Sequence, residues 1–299
     1  MLCVGIGGGG DVVGAVAAAG IAAATGTRAT LGGLTWERRP IDPLPGARAL
    51  EEVTGVRVLH PAVALAGPDA AGPGGFRFAE GRMAELLCED TVLVDPNPGP
   101  AQIAEGLAVA ARQLGCDCVV LLDVGGDALA HGDEAGLGSP LADAILLASA
   151  PALAAAGITV MGAIFGAGCD GELTPDEVVA RLDEVAAAGG ALGDHLPDEE
   201  TLARVEAAVE AVPTEASAMA LRCARGETGA QPIREGRRTV VLTPAGGRVF
   251  FFDPQVAIRS AARLAAAVEG ARDLEHAQDI LEGMGVHTEL SYEREAAAG

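Results

Sequence analysis

Two short stretches carry the residues best suited to chemistry. Gly7-Gly8-Gly9-Gly10-Asp11 follows an apolar run, and Gly5, Gly7 and Gly10 keep the G-x-G-x-x-G spacing of dinucleotide loops. Backbone N–H groups at a helix start, with no side chains in the way, hold a phosphate against the positive end of the helix dipole. The acidic ribose partner expected ~20 residues further on is missing, since Arg28 lies nearby and Glu37 comes too late. Asp11 tolerates a phosphate only by capping the helix, binding a metal or meeting a ribose hydroxyl. The plainer reading, a tight strand-to-helix turn, needs fewer glycines than are present. The second stretch holds Asp123, Asp127, His131, Asp133 and Glu134. Carboxylates this dense, beside Gly125 and Gly126, suit oxygen ligation of a divalent cation, or supply a base for a ribose hydroxyl or water. Asp123 and Asp127 are therefore the catalytic candidates and the candidate metal ligands. Their plainer role is a strand-end cap, with His131 to Glu134 a solvated turn.

Three further residues join the glycine loop and Asp11 as candidate ligand contacts. Trp36, the only tryptophan, stands two residues before Arg38, so an indole to stack on a base adjoins a guanidinium to grip a phosphate. Packing of a long irregular segment is the alternative. Asn97, the only asparagine, follows Asp95-Pro96. His60, His195, His276 and His287 have no matching partners and read as structural or solvated.

Composition excludes several chemistries. All 20 basic residues of the 299 are arginine, so Schiff-base enzymes, pyridoxal-phosphate aldimines and a P-loop lysine are ruled out. A net charge of -22 opposes nucleic acid and anionic membrane surfaces. Hydrophobic residues at 49% describe a globular chain, and no apolar run reaches the ~20 residues that span a bilayer. Without a basic leader the chain reads as cytoplasmic. Cys3, Cys116 and Cys118 lie in apolar strand-like runs, and Cys116-Asp117-Cys118 has no second pair at zinc-ribbon spacing.

These residues need a frame. Short apolar runs alternate with Ala/Leu-rich helical stretches, the pattern of an α/β fold: Rossmann-like, with a mostly parallel sheet and helices on both faces. Strands are expected at Leu2 to Ile6, Arg28 to Leu31, Thr91 to Val94, Asp117 to Leu122 and Ile158 to Phe165, with a further one at Val56 to Leu59 in an irregular Leu34 to Phe78 segment. Helices are expected at Val12 to Thr25, Pro100 to Leu114, Leu141 to Ala156 with Ser139 as N-cap, Thr174 to Ala188 behind a capping box, Asp198 to Ala211, Glu215 to Arg225, Val256 to Val268 and Leu274 to Met284. Thr239 to Leu242 and Arg248 to Phe252 read as a hairpin or tight strand pair, and Glu293 to Gly299 as a frayed tail. One domain over 1–299, with a helical insertion at about 174–226, is the expectation. Ligands of such sheets bind beyond the carboxyl ends of the strands, and there fall the glycine loop, Trp36 to Arg39, Asp95 to Asn97, Asp123 to Asp127 and Gly166 to Asp170.

Gly7 to Ala15, Trp36-Glu37-Arg38, Asp123 to Asp127 and Ser139 to Asp143 together resemble a prokaryotic family whose domain has no assigned function. The resemblance implies a Rossmann-like fold near the deoxyhypusine synthase, sirtuin and electron-transfer-flavoprotein group, and implies no activity. The synthase depends on a lysine absent here, and the sirtuin Asn-Asp-His pattern has no match around Asn97. The expected function is an enzyme that binds a nucleotide (NAD-like or adenine) or other phosphorylated small molecule and acts at a sugar or phosphoryl centre. A divalent cation is a candidate cofactor, and homo-oligomer formation stays open. The alternatives are a non-catalytic nucleotide sensor and a metal-dependent nucleoside hydrolase.

Overall fold

The structure, a computed structural model, describes residues 1–298. Leu2–Gly5 (β1) is buried throughout, as an apolar strand covered on both faces must be. The glycine loop then opens helix α1 (Asp11–Ala23), and the chain returns as β2 (Thr30–Leu34). Thr54–His60 (β3), Val63–Ala71 (β4), α2 (Ala79–Leu87) and β5 (Thr91–Val94) follow. Helix α3 (Pro100–Gln113) leads to β6 (Cys118–Val124), then to α4 (Pro140–Leu147), α5 (Ala150–Ala155), β7 (Thr159–Phe165) and α6 (Pro175–Ala187). Next come β8 (Ala191–His195), α7 (Glu199–Ala211), α8 (Glu215–Ala224), β9 (Gly229–Ile233), β10 (Arg238–Leu242) and β11 (Val249–Phe252). Helices α9 (Pro254–Ser260), α10 (Arg263–Val268), α11 (Leu274–Gly283) and α12 (Glu289–Ala298) complete the order.

The central sheet runs β3-β4-β5-β2-β1-β6-β7-β11-β8. Its middle, β5-β2-β1-β6-β7, is parallel, and antiparallel strands extend both edges. From β1 the chain steps outward to β2 on one side and later resumes at β6 on the other. Strand order therefore reverses between β1 and β6, where a crevice opens at the carboxyl ends. Alternate residues serve opposite faces: Leu2, Val4, Val119 and Leu121 join one apolar cluster, and Cys3, Val120 and Leu122 the other. The fold is α/β with a mostly parallel sheet between helical layers, as the alternating pattern predicts. No helix among the described residues is long and apolar enough to cross a membrane.

Several elements differ from the sequence reading. The segment taken as irregular contains β4 and α2, hidden because Ala, Gly and Pro mask any period there. The expected long helix divides into α4 and α5, since Pro151 offers no N–H to the preceding turn and the Ser149 hydroxyl bonds to Leu146 O instead. Likewise α9 and α10 replace one helix. The expected hairpin does not form: β10 pairs with β9 in a separate ribbon, while the aromatic β11 inserts between β7 and β8. Of the stretch read as a frayed tail, Glu293 to Ala298 is the helical end of α12, half-buried at Glu293 and exposed beyond it, and Gly299 lies outside the described residues.

Candidate functional site

The crevice between β1 and β6 is lined with carboxylates. Asp11, the first residue of α1, turns its Oδ2 back onto Gly7 N at 2.9 Å and Val124 N at 3.3 Å, tying both strand ends together. Asp123, at the end of β6, accepts Gly126 N and Ala128 N on Oδ2, both at 3.0 Å, and so closes its own loop. Asp143 comes from the first turn of α4 and is buried; its Oδ1 has no hydrogen-bond partner among the described residues. Ligand oxygens of Asp11, Asp123 and Asp143 lie within 4.8 Å of one another. Gly7 makes the approach possible, because a Cβ there would stand 2.7 Å from Asp11 Oδ2 and 3.0 Å from Asp143 Oδ2.

A second triad adjoins it. Asp127 follows the left-handed glycines Gly125 and Gly126, and it meets Asp170 and Glu172 from the loop after β7, again within 4.8 Å. Gly125 has φ +144°, and a Cβ there would press on Asp170 at 2.5 Å, so glycine is required for both conformation and space. Glu172 is held by Gly138 N at 2.8 Å, Ser139 N at 2.7 Å and the Ser139 hydroxyl. Ser139 therefore occupies the N-cap position of α4 without capping it. Glu289 of α12 does so instead, accepting Leu141 N at 3.0 Å and Ala142 N at 2.9 Å.

So many buried carboxyls cannot all ionise. Two like charges ~4 Å apart at an effective dielectric constant of about 20 repel by about 4 kcal/mol. Burial, and then Asp123, push Asp11 up to about 8 against the Gly7 and Val124 amides. Asp123 is raised to about 6 by burial, with the Ala128 and Gly126 amides opposing. Asp143 and Asp127 are held well above the usual carboxylate range, first by burial and then by Asp123 and Asp143 respectively. Burial and Glu172 do the same to Asp170.

The other sequence candidates fall at varying distance from this centre. Gly8 and Gly9 adopt positive φ, and Gly9 N donates to Trp36 O at 2.8 Å, so the loop is stitched to the end of β2. Gly10 packs against Thr214, where a Cβ would come within 2.4 Å. With the Gly7 and Gly9 amides already engaged, the loop spends two of its donors internally. Arg38 donates to Gly7 O at 2.7 Å and stands 3.4 Å from Glu289 and 3.5 Å from Glu293. Trp36 differs from the expectation of a base platform: it is fully buried, Arg38 covers its ring at 4.7 Å, and its N–H reaches Glu293. Asn97 lies apart, with its side-chain amide held by Asp95 at 2.7 Å and Ala47 O at 3.2 Å. His131, Asp133 and Glu134 gather as a third group with ligand atoms within 4.8 Å of one another, exposed at Asp133, and His131 and Glu134 are paired with Glu184 and Arg181 on α6. Cys116 and Cys118 join no metal-ligating cluster among the described residues.

Sequence reasoning missed Asp143, Asp170, Glu172 and Glu289 as site residues. Asp170 ends one of the strand-following loops and Asp143 stands in the Ser-Pro-Leu-Ala-Asp motif, so both left a signal. Glu172 and Glu289 left none, since each acts through a contact distant in the chain. No curated protein and no solved structure matches the chain. A family profile matches residues 2–297, and on that breadth the chain belongs to DUF1152, a family of proteins of unknown function.

Proposed function

We propose that this chain is an enzyme that holds a divalent cation among Asp11, Asp123 and Asp143 and through it binds a nucleotide or other phosphorylated small molecule, acting at a sugar or phosphoryl centre. The observation that carries this reading is the buried, unpartnered Oδ1 of Asp143 beside two further carboxylates. A buried acceptor without a donor costs about 1–3 kcal/mol, more when charged, and a cation removes that cost together with the mutual repulsion. The donor set is all oxygen, which suits magnesium, calcium or manganese rather than zinc. A bare phosphate is repelled by such a cluster, whereas one coordinated to the cation is not. The glycine loop then serves chiefly for close approach: Gly7 lets two carboxylates converge, and Arg38 lies against its carbonyl.

Asp127 is the group best placed to act as a base, because it is buried, adjoins both Asp123 and Asp143, and has its proton affinity raised. This favours, as a second reading, hydrolysis at a sugar carbon by cation-bound water. The test is turnover of a nucleotide and nucleoside panel with magnesium, manganese or calcium and with a chelator. Cation-dependent release of base identifies the hydrolase, and cation-dependent phosphoryl or glycosyl transfer the main reading. Ligand binding without turnover identifies a sensor. Equal behaviour with the chelator refutes the cation.

A further inference from the structure

The ribbon β9–β10 brings arginines to the rim of the acidic centre. Arg234 and Arg238 stand 3.6 and 3.7 Å from Glu172 Oε1, inside ion-pair range and outside hydrogen-bond range. Glu172 does not need them, because Gly138, Ser139 and its hydroxyl already engage both carboxylate oxygens. Arg238 Nη1 is buried without a hydrogen-bond partner among the described residues. A guanidinium offers five donors in a planar fork, so donors in this pair stand uncommitted.

The backbone is arranged to place them. Arg234 and Glu235 adopt φ 51° and 58°, the left-handed region that residues with side chains avoid. Glu215 at the start of α8 fixes the first of these by accepting Arg234 N at 2.9 and 2.8 Å. Strain held by a dedicated contact is characteristic of ligand clamps. A cleft of about 410 Å³ opens beside Glu172, lined by Gly136, Gly171, Thr239 and Thr243 together with the acids Asp176 and Glu177, and the two arginines stand outside its lining. The buried Thr243 hydroxyl also lacks a partner among the described residues.

We propose that Arg234 and Arg238 clamp the phosphoryl group of the substrate beside Glu172, at the rim of the acidic centre. The proposal rests on the cation-dependent reading above, because an anion enters among these carboxylates only when a cation offsets them. Two convergent guanidinium forks match the spread oxygens of a phosphoryl group better than any single-point ligand. The clamp thus restricts substrates to phosphorylated ones and disfavours free nucleosides.

Calorimetric titration of magnesium-loaded protein with inorganic phosphate tests this, after a separate titration with magnesium alone. Arg234→Met and Arg238→Met should each weaken phosphate binding by about tenfold or more, while magnesium binding is unchanged or tighter because a nearby positive charge has gone. Arg238→Lys keeps the charge and most of the stem, so it guards against misfolding; it should still weaken phosphate binding, since an ammonium cannot supply the fork. Phosphate affinity equal to wild type in these variants, with magnesium still bound, overturns the clamp and leaves the cation reading standing. A wild type that binds neither magnesium nor phosphate overturns both.

Discussion

Asp143→Asn separates a metal ligand from a structural carboxylate more sharply than any other change at this site. Asp123 also holds its loop through Gly126 and Ala128, so replacing it mixes two effects. Asp143 makes no comparable contact through Oδ1. With no cation present, it must be protonated at neutral pH or repel Asp11 and Asp123. Holding a carboxyl protonated at pH 7 against an ordinary value of 3.8 costs up to about 4 kcal/mol at about 1.4 kcal/mol per pH unit. Asparagine removes that cost, and its amide donates to the neighbouring carboxylates. Partial loss to amide burial leaves an expected gain of about 1–3 kcal/mol, or a rise in Tm of roughly 2–10 °C for a chain of this size. Magnesium should narrow that gap by about 1.3 kcal/mol. At 100 times its Kd the ion stabilises the wild type by about 2.7 kcal/mol, and a variant binding it tenfold more weakly gains correspondingly less. Paired thermal melts with chelator and with magnesium, alongside calorimetry, read both effects. A variant that melts below wild type in chelator and binds magnesium with full affinity would refute the reasoning and make Asp143 scaffolding.

Three other outcomes follow from the same geometry. Gly7→Ala introduces a methyl 2.7 Å from Asp11 Oδ2 and 3.0 Å from Asp143 Oδ2, so cation affinity should fall at least about tenfold; unchanged affinity would mean the triad does not converge on an ion. Glu37, buried with Ala79 N donating to it and raised to about 7 chiefly by burial, is protonated in the fold below that pH while its unfolded counterpart ionises from about 4.5. The unfolded state then binds fewer protons, so Glu37 should contribute a loss of stability of up to about 3 kcal/mol as pH rises from about 4.5 to about 7. The denaturant-midpoint profile of Glu37→Gln should be shallower than wild type by that amount, the remaining slope belonging to Asp11, Asp123 and the other raised carboxyls; parallel profiles would count against it. Glu289→Ala strips the acceptor from Leu141 N and Ala142 N and a partner from Arg38, which should cost about 3–5 kcal/mol in chemical denaturation. A loss under about 1 kcal/mol would show that water replaces the carboxylate.

Much of this centre could be read before any coordinates, because strand-end position carries it. Asp11, Asp123 and Asp127 stand where apolar runs stop, and the parallel topology brings those ends to one edge. The neighbours that give them meaning were illegible. Glu172 and Glu289 look like ordinary helix and loop acids until α4 is seen to rest on both of them. Trp36 misled for a complementary reason: a tryptophan in a loop segment reads as exposed, whereas α12 covers it. The β4–α2 stretch stayed hidden because alanine fits helix and strand patterns alike. Arg234 and Arg238 are marked only by their tertiary surroundings, since arginine is the chain's only strong cation.

The seating of α12 has a temporal consequence. The carboxylates of both triads, and the arginines beside them, all precede Glu289 along the chain. Synthesis therefore delivers a chain whose acidic centre is complete in composition while the first amides of α4 still lack their acceptor. During that interval Asp143, carried by that first turn, is anchored from one side only. Commitment of the site to its final geometry belongs to a segment made after all of its carboxylates, and a cation that binds earlier meets a looser set of oxygens than the one described above.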